Sequence, residues 1–317
     1  EFRDRAGVGV LRTINLELVR PLLRYLQPKS LSVAVIDATD LPASTADKKK
    51  RGHWSAQRAT LGARTRRAGS SKFFVSYKKH SLRLWLNAHS QSVLLIPIST
   101  WVAPAHLPEG YWLEASVRQC QRRLDWRPDI MVGDLAYIRQ EVKQAIRQQY
   151  GVAVVTKMKP DMNLIDAFDT WNQMSCVHGE PLRWLDYEPD EQTHWFGPEP
   201  GVQLCPHCWE ASQCPREFAY PAQCHETLLG LLPLNTRAAQ QLLNQVRCWI
   251  EPTQSYDKNR LGLKRVFLNS LRLAWTFSLL ADAAVRLRAQ ALLTQPHGQH
   301  DLLCHLLPNQ LQLPLPD

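Results

Sequence analysis

The order of the apolar segments constrains the fold of this chain more than any other feature of its sequence. Three runs of apolar and β-branched residues precede the first strongly amphipathic helix, and helix and strand then alternate. The predicted strands are 31–38, 73–87, 92–102, 129–133 and 152–157. The predicted helices are 8–26, interrupted near Pro21; 109–126; 137–150, which ends at Gly151; and 261–293. The second and third strands are expected to pair antiparallel. This order predicts an α/β fold, with a mixed five-stranded sheet flanked by helices.

Two of the predicted strands lead into an aspartate. Asp37 falls at the end of the run LSVAVIDA, and Asp134 follows the run DIMVG. Open α/β sheets commonly present functional groups where a strand leaves the core, so both carboxylates are candidates for a site. A turn or a helix cap would explain Asp37 equally well.

Arg247, Glu251 and Lys258 are spaced by four and seven residues. At about 100° per residue, a continuous helix would bring the three side chains within about 40° of one another. A carboxylate between two cations stays ionised, suits a divalent metal and has donors on either side for phosphate oxygens. A surface helix with i,i+4 charge pairs is the alternative explanation. Pro252 is expected to make the helix kink or restart at Glu251.

This spacing resembles the end of the Y-(2)-R-(3)-E-(6)-K signature of bacterial insertion-sequence transposases with a DDE catalytic triad. The tyrosine of the signature falls at Asn244. The segments VIDATDLPA, YKKHSLRL and MVGDLAYI also resemble blocks of that family, and the order of the predicted elements resembles its ribonuclease H-like core. The fold class expected from the resemblance is therefore a ribonuclease H-like α/β core.

The resemblance implies that Asp37, Asp134 and Glu251 form one active site that binds two Mg²⁺ ions, with Mn²⁺ as a plausible substitute. It implies phosphodiester hydrolysis and strand transfer on double-stranded DNA, at transposon ends and at the target. Arg247 and Lys258 would hold the DNA backbone or stabilise developing negative charge. Because two ends are cut and joined, a homodimer on DNA is expected.

Two other functions remain open from the residues alone. One is a domesticated or inactive descendant that binds DNA or protein without cutting, and the other is a nuclease without strand transfer. Two further acids near the expected site, Asp40 and Glu226, are expected not to be ligands. Asp40 lies beyond the predicted strand, and Glu226 begins the helical pattern that leads into the Arg-Glu-Lys segment.

The positive charge of the chain is concentrated in one segment, from Lys48 to Lys72. It holds nine Lys and Arg and no Asp or Glu, which equals the net charge of +9 of the whole chain. A solvated, partly disordered loop is the plain explanation. The functional prediction is contact with DNA phosphates, which gives affinity that falls steeply with salt. The residues assigned to this contact are Lys48, Lys49, Lys50, Arg51, Arg64, Arg66 and Arg67.

An acidic, cysteine-rich segment separates the second aspartate from Glu251. Between Cys176 and Glu226 it holds five of the eight cysteines, and nine acidic residues against two arginines. Its C-x2-C pair, in a segment short of helical periodicity, predicts a zinc-ribbon-like module with a structural Zn²⁺. The proposed ligands are Cys176, Cys205, Cys208 and Cys214, with His178 as a substitute for one of them. Buried, reduced thiols are the alternative.

These segments divide the chain into regions. The expected regions are 1–28, a helical segment that could end a truncated DNA-binding region; 29–160, the first part of the core with the basic loop 46–72; 161–226, the inserted module; 227–294, the helical part that carries Glu251; and 295–317, a tail. No apolar run is long enough to cross a bilayer, and no signal-peptide pattern opens the chain. We therefore expect a cytoplasmic protein, nucleoid-associated if the bacterial resemblance holds.

Overall fold

The computed structural model describes residues 7–26, 31–43, 63–66, 73–88, 92–157, 174–176, 180–198, 216–234, 236–247, 249–263, 268 and 270–294. These residues fall into two compact units. The first comprises described residues of 7–128 and 246–294, and the second comprises described residues of 129–245. The described residues of the predicted inserted module, 161–226, lie within the second unit.

The bounds of the strands and α-helices formed by the described residues are as follows. The strands are β1 (Val33–Pro42), β2 (Ala63–Arg66), β3 (Phe73–Ala88), β4 (Ser92–Pro104), β5 (Ile130–Gly133), β6 (Ala153–Thr156), β7 (Arg183–Glu188), β8 (Thr193–Gly197) and β9 (Phe218–Pro221). The α-helices are α1 (Val8–Leu23), α2 (Tyr111–Leu124), α3 (Gln140–Tyr150), α4 (Arg237–Arg247), α5 (Ile250–Ser255) and α6 (Leu271–Thr294). All five predicted core strands form, as β1, β3, β4, β5 and β6, and the predicted α/β class is confirmed.

Strand β3 organises the first unit because it pairs antiparallel with three other strands. It pairs with β1 from Ser76 to Leu84, with β2 from Phe73 to Ser76, and with β4 from Tyr77 to Ala88. The antiparallel pair predicted for the second and third strands is therefore confirmed as β3 and β4. Aromatic residues and Leu supply most of the apolar side chains of β3, and most of its described side chains are buried.

The prediction that Asp37 ends its strand was wrong. Strand β1 extends to Pro42, and Asp37 lies within it, opposite Ser81 of β3. The pairing continues because Thr39 and Leu41 are buried and keep the alternation of the strand going. The four residues before Asp37 are buried, whereas Asp37 itself is half-buried. Its carboxylate thus lies where the burial of β1 decreases, although the strand does not end there.

The basic segment is not entirely a loop. Residues 63–66 form β2, which pairs with the first residues of β3, so the prediction of a loop over 46–72 was wrong for these four residues. Alternation of small or β-branched residues with arginine in ARTR suits a strand. Lys48, Lys49, Lys50, Arg51 and Arg67 lie outside the described residues. The role assigned to the segment stays a prediction.

Helix α6 packs on β4 and on α1 and closes the core of the first unit. One buried apolar cluster contains Leu22, Leu86, Ile96, Ala289 and Leu293. The helix had been predicted to begin at Leu261, but it begins at Leu271. Gly262 adopts a φ of 77°, a left-handed conformation that suits glycine and interrupts the helical path. Pro21 lies inside α1 and does not break it before Leu23.

The second unit begins with a parallel pair of strands, β5 and β6, connected by α3. Asp134 follows β5 directly, as predicted, and it caps a short 3₁₀ helix, Leu135–Tyr137, by accepting the backbone N–H of Ala136 at 2.9 Å. Gly151 ends α3 in the left-handed conformation with φ 62°, which confirms the predicted C-cap.

Strands β7, β8 and β9 form a separate antiparallel sheet in the second unit. Its apolar core contains Met174, Leu182, Phe196, Leu228 and Leu229. A buried ion pair lies beside it, because Arg147 Nε donates to Glu226 Oε2 at 2.8 Å and both side chains are about 3% exposed. The apolar core around the β7–β9 sheet thus combines described residues of the predicted module with Leu228 and Leu229 beyond it. Glu226 of the module pairs with Arg147 of α3, which lies outside the module.

Among the described residues, no helix combines the length and the apolar character that a membrane span requires.

His194 on β8 is held as a neutral imidazole. Its Nε2 lies 2.8 Å from the carbonyl oxygen of Gly230, so this nitrogen carries the proton. Its Nδ1 accepts the indole N–H of Trp184 at 3.2 Å. A second proton, on Nδ1, would face the indole N–H of Trp184. Burial, opposed in part by the Gly230 hydrogen bond, lowers the pKa of His194 to about 4.

We expect acid to destabilise the second unit through His194. The folded pKa lies below the ordinary value of 6.5, so the unfolded chain binds more protons between pH 6.5 and 4 and stability is lost as the pH falls through this range. The full effect of this shift is about 3 kcal/mol. Urea unfolding from pH 7 to 4.5 should show a shallower pH dependence for His194→Gln than for the parent. The exposed His106→Gln is the control, and equal slopes for His194→Gln and the parent would contradict the prediction.

Candidate functional site

Asp37 on β1 is held by hydrogen bonds to both of its carboxylate oxygens. Oδ1 accepts the backbone N–H of Ala38 at 2.8 Å. Oδ2 accepts the side-chain amide of Gln254 on α5, and the same Nε2 lies 3.3 Å from the carbonyl oxygen of Ala38. The amide of Gln254 thus connects α5 to the middle of β1, at the carboxylate that the sequence singled out.

The helix is interrupted between α4 and α5, and it restarts close to Pro252, as predicted. Helix α4 ends at Arg247, and α5 begins at Ile250. Pro252 lies in the first turn of α5, where backbone N–H groups have no acceptor within the helix, so its missing N–H costs nothing. Glu251 and Gln254 are three residues apart and lie on one face of this turn. The residue that contacts Asp37 is therefore one turn away from Glu251.

An open cleft of about 300 Å³ lies beside α5. Its lining includes Asp40, Glu251, Gln254 and Lys258. Glu251 is exposed, and Lys258 is half-buried. The cleft thus combines two carboxylates, an amide and an ammonium group. Oxygen donors of this kind suit Mg²⁺ or Mn²⁺, and the ammonium group suits a phosphate.

The chain passes from α5 into a single π-helical turn, Tyr256–Arg260. Such turns are rare, and they frequently occur at functional sites. This one places two neighbouring charged side chains in different environments. Asp257 is fully buried, whereas Lys258 lines the cleft.

Asp257 accepts two charged donors from β3. Lys79 Nζ lies 2.9 Å from its Oδ2, and an Arg83 guanidinium nitrogen lies 2.5 Å from the same atom. Burial alone would raise the pKa of Asp257, but Arg83 and Lys79 together hold it below the ordinary value. The carboxylate is therefore an anion in the folded protein, and it anchors the π-turn to the sheet.

Lys79 also binds a second carboxylate, on α6. Its Nζ lies 2.7 Å from Asp282 Oδ1, and Asp282 Oδ2 accepts the hydroxyl of Thr100 on β4 at 2.5 Å. Arg286, one turn further along α6, donates to the carbonyl oxygen of Pro97 at 2.7 Å. Its burial lowers its pKa to about 10, while Asp282 acts against this shift. We call Lys79, Arg83, Asp257, Asp282 and Arg286 the buried charge network.

The polar side chains of β3 and β1 meet directly beneath Asp37. Lys79, Ser81 and Arg83 alternate along β3, so they lie on one face, and their partners in register on β1 are Thr39, Asp37 and Val35. These residues, together with Gln254 and Asp257, line a small cavity of about 10 Å³. A cavity of that size and polarity is about large enough for one water molecule.

The structure brings only part of the predicted site together. Asp37 and Glu251 lie in the first unit, connected through Gln254, and Lys258 lines the same cleft as Glu251. Asp134 is half-buried at the end of β5 in the second unit. The side chains of Arg247, Arg64 and Arg66 lie outside the described part of the structure. Convergence of the three acids stays a prediction.

Glu226 has a structural partner in Arg147, which agrees with the expectation that it is not a ligand. Asp40 differs from that expectation in its position, because it lines the same cleft as Glu251. Its exclusion from the site stays a prediction that a variant must test.

The Mg²⁺ and Zn²⁺ sites stay predictions. Within the described residues, no three His, Cys, Asp or Glu side chains cluster closely enough to hold a metal ion. The carboxylates of Asp37 and Glu251 nevertheless fit Mg²⁺ as a ligand type. Cys176 packs against the apolar core of the β7–β9 sheet. The other proposed zinc ligands, Cys205, Cys208, Cys214 and the substitute His178, lie outside the described residues.

Four residues of the site and of the buried charge network could not be predicted from local patterns: Gln254, Asp257, Lys79 and Arg83. One signal was present in the segment YKKHSLRL, where polar residues alternate along an otherwise apolar strand. In a strand with both faces buried, such a row requires a partner that carries the opposite charge. Nothing in the sequence showed that Asp257 and Asp282 supply it.

No protein-family model and no curated protein matches the sequence. Among solved structures, the chain is similar to a piggyBac transposase in a cryo-EM structure of its synaptic complex with hairpin DNA. The identity is 10% and the TM-score is 0.40. The match covers 80% of this chain and 45% of that chain, so this chain spans less than half of the transposase. A TM-score this low assigns no function.

We expect Asp257→Leu to destabilise the first unit strongly, because it leaves Lys79 and Arg83 buried with too little negative charge. Breaking a buried pair in this way typically costs about 3–5 kcal/mol. Urea unfolding should show this loss, whereas Asp190→Asn in an exposed turn should change stability by less than about 0.5 kcal/mol. The double variant Arg83→Met/Asp257→Leu should recover part of the loss. Additive losses in the double variant would contradict the assignment of the pair.

Proposed function

We propose that this chain is a DNA transposase that hydrolyses phosphodiester bonds at transposon ends and then transfers the strands. The observation that supports it most is the contact between Gln254 and Asp37. It holds α5, which carries Glu251, against β1, which carries Asp37. Two carboxylates far apart in the sequence are thereby attached to adjoining elements, as the resemblance to the DDE transposases requires.

The order of the described elements is consistent with the ribonuclease H-like core that we propose. After α1 come β1, β3 and β4, with the short β2 between β1 and β3, and they are followed by α2, β5, α3 and β6. In that arrangement Asp134, which follows β5, would be the third carboxylate of the site. Asp37, Asp134 and Glu251 would then form one set of ligands.

In the proposed mechanism, the residues of the chain hold the metal, bind the DNA backbone and position the groups that do so. Asp37, Asp134 and Glu251 would hold Mg²⁺ or Mn²⁺, which supplies activation of the attacking hydroxyl and stabilisation of the leaving oxygen. Lys258 lines the cleft with Glu251 and would bind a backbone phosphate of the DNA. Without a bound metal, Gln254 holds the carboxylate of Asp37 through Oδ2 on the side of α5. A metal bound at that oxygen would displace the amide. Asp257 anchors the π-turn, so the ammonium group of Lys258 stays at the cleft.

One observation favours a second function, an inactive descendant that binds DNA without cutting. The amide of Gln254 already occupies an oxygen of Asp37. If this bond is permanent, Asp37 is a structural residue that joins β1 to α5 and has no free oxygen for a metal on that side. The two functions therefore differ in whether Mn²⁺ binds at Asp37.

The test is a set of isosteric amide variants. We expect Asp37→Asn, Asp134→Asn and Glu251→Gln each to lower metal-dependent cleavage and strand transfer at least about 100-fold, the scale of losing one electrostatic group from an active site. The substrate is duplex DNA that carries the ends of the element. Each variant should also lose Mn²⁺ binding measured by calorimetry, while its unfolding and its binding to duplex DNA stay close to the parent.

Asp40→Asn is the matched control, because Asp40 lines the same cleft. It should retain most of the cleavage and of the Mn²⁺ binding. If Asp40→Asn is inactive and Glu251→Gln cuts normally, the third ligand is Asp40 and our alignment of Glu251 is wrong. If all three amide variants cut like the parent, the proposed function must be abandoned. Mn²⁺ binding that is absent in the parent as well supports the inactive descendant.

A further inference from the structure

A second cleft in the first unit lies between α1 and α2, and it shares no lining residue with the cleft beside α5. It has a volume of about 240 Å³, and three of the eight residues that line it are arginines. We call it the arginine groove, after Arg12, Arg20 and Arg123. The other lining residues are Gly9, Thr13, Leu16, Glu17 and Gln119. The groove therefore carries three cations against one anion.

Arg12 is held in the groove by two tryptophans. Its guanidinium carbon lies 4.6 Å from the ring centre of Trp101 and 5.2 Å from that of Trp275. Burial lowers the pKa of Arg12, and the charge of Arg123 adds to this effect. A neighbouring cation thus acts on a guanidinium that the aromatic rings keep in place. An anion in the groove would relieve this repulsion.

Arg20 is fixed across the groove by the backbone of the opposite helix. One of its guanidinium nitrogens donates to the carbonyl oxygen of Arg123 at 2.6 Å. Its Nε also lies 3.1 Å from a carboxylate oxygen of Glu17. The side chain is 50% exposed in spite of these contacts. Its remaining donors can face a ligand, and little side-chain entropy is left to lose on binding.

We propose that the arginine groove binds the backbone phosphates of duplex DNA. Arg12 and Arg20 are eight residues apart on α1, which places their Cα atoms about 12 Å apart along the helix. A DNA strand carries one phosphate per about 3.4 Å of helix axis, so this length faces several phosphates. Guanidinium groups in fixed positions suit phosphate oxygens, because they can donate two parallel hydrogen bonds.

The composition of the groove favours DNA over an acidic peptide. Protein–DNA interfaces are more polar and more positively charged than protein–protein interfaces, whereas peptide recognition relies on apolar anchors in pockets. Leu16 is the largest apolar side chain of this lining. A structural role explains Arg12, which covers two tryptophans, and the last turns of α1 and α2 suit Arg20 and Arg123. The observation that points to a ligand is that all three guanidinium groups line one groove.

The inference extends the proposed function, and it requires only that the chain binds DNA. It adds a contact that neither the basic segment nor Lys258 supplies. The binding is expected to be independent of base sequence, since arginines directed at phosphates position a duplex without reading it.

The test compares two double variants with the same change in charge. Arg20→Gln/Arg123→Gln removes two groove cations, and Arg24→Gln/Arg122→Gln removes two exposed cations near them that do not line the groove. The probe is a blunt duplex without transposon sequence, titrated at several salt concentrations. We expect the groove variant to raise Kd about tenfold at 0.1 M salt and to lower the slope of log K against log salt by about 2. The control variant should stay within about threefold of the parent.

Equal behaviour of the two double variants would overturn the inference, as would a parent that does not bind duplex DNA. Thermal unfolding checks that the variants fold, and Arg123→Gln alone should show half of the change in slope if the double variant is unstable. Polyglutamate is the second probe, and loss of its binding with unchanged DNA binding would assign the groove to an acidic peptide. Cleavage separates this result from the proposed function. If the groove fails, the parent still cuts in an Asp37-dependent manner; if catalysis fails, groove-dependent binding remains.

Discussion

The buried charge network is the constraint on which the first unit depends. Lys79 stands between Asp257 and Asp282, with Nζ within 2.9 Å of one carboxylate and 2.7 Å of the other. Each of these charges would be costly to bury alone, so none of them can leave the network singly. Lys79 belongs to β3, Asp257 to the π-turn and Asp282 to α6. The network therefore fixes two C-terminal elements on the strand that organises the sheet.

The attachment of the π-turn to β3 through Asp257 determines the geometry of the candidate site. Because Asp257 is buried against β3, α5 must lie over β1, and there Gln254 reaches the carboxylate of Asp37. The same turn leaves Glu251 and Lys258 at an open cleft. The buried charge network thus positions Glu251 and Lys258 at the cleft, where they can contact a ligand. The price of this arrangement is a row of charged side chains inside a sheet, which only the matching acids of the last two elements make tolerable.

Much of the fold could be predicted from the sequence, because apolar periodicity reports burial directly. The five core strands, the pairing of β3 with β4, the cap at Gly151 and the restart of the helix near Pro252 all followed from local rules. The predicted ends of β1 and α6 were wrong because interactions outside the local pattern determine where these elements end and begin. Strand β1 continues past Asp37 because β3 is long enough to pair with it, and α6 begins late because Gly262 turns the chain.

The sequence pattern could predict individual residues of the candidate site, but not the contacts that connect them. The spacing around Glu251 and the aspartate in β1 identified two carboxylates, but Gln254, which connects them, has no local signature. The contribution of Asp257 was equally hidden, because it depends on two cations that lie more than 170 residues earlier in the chain. Contacts of that range come from the topology, and no periodicity in the sequence reports them.

The central claim is that Asp37 and Glu251 hold a divalent metal. The most direct test is a crystal structure of the full chain soaked in Mn²⁺, with anomalous diffraction recorded at the manganese edge. If the two carboxylates hold the metal, an anomalous peak lies about 2.0–2.3 Å from carboxylate oxygens of both Asp37 and Glu251, with Gln254 displaced from Oδ2. A peak only at other residues, or an Asp37 still bonded to Gln254 with no peak beside it, would show that they do not hold it.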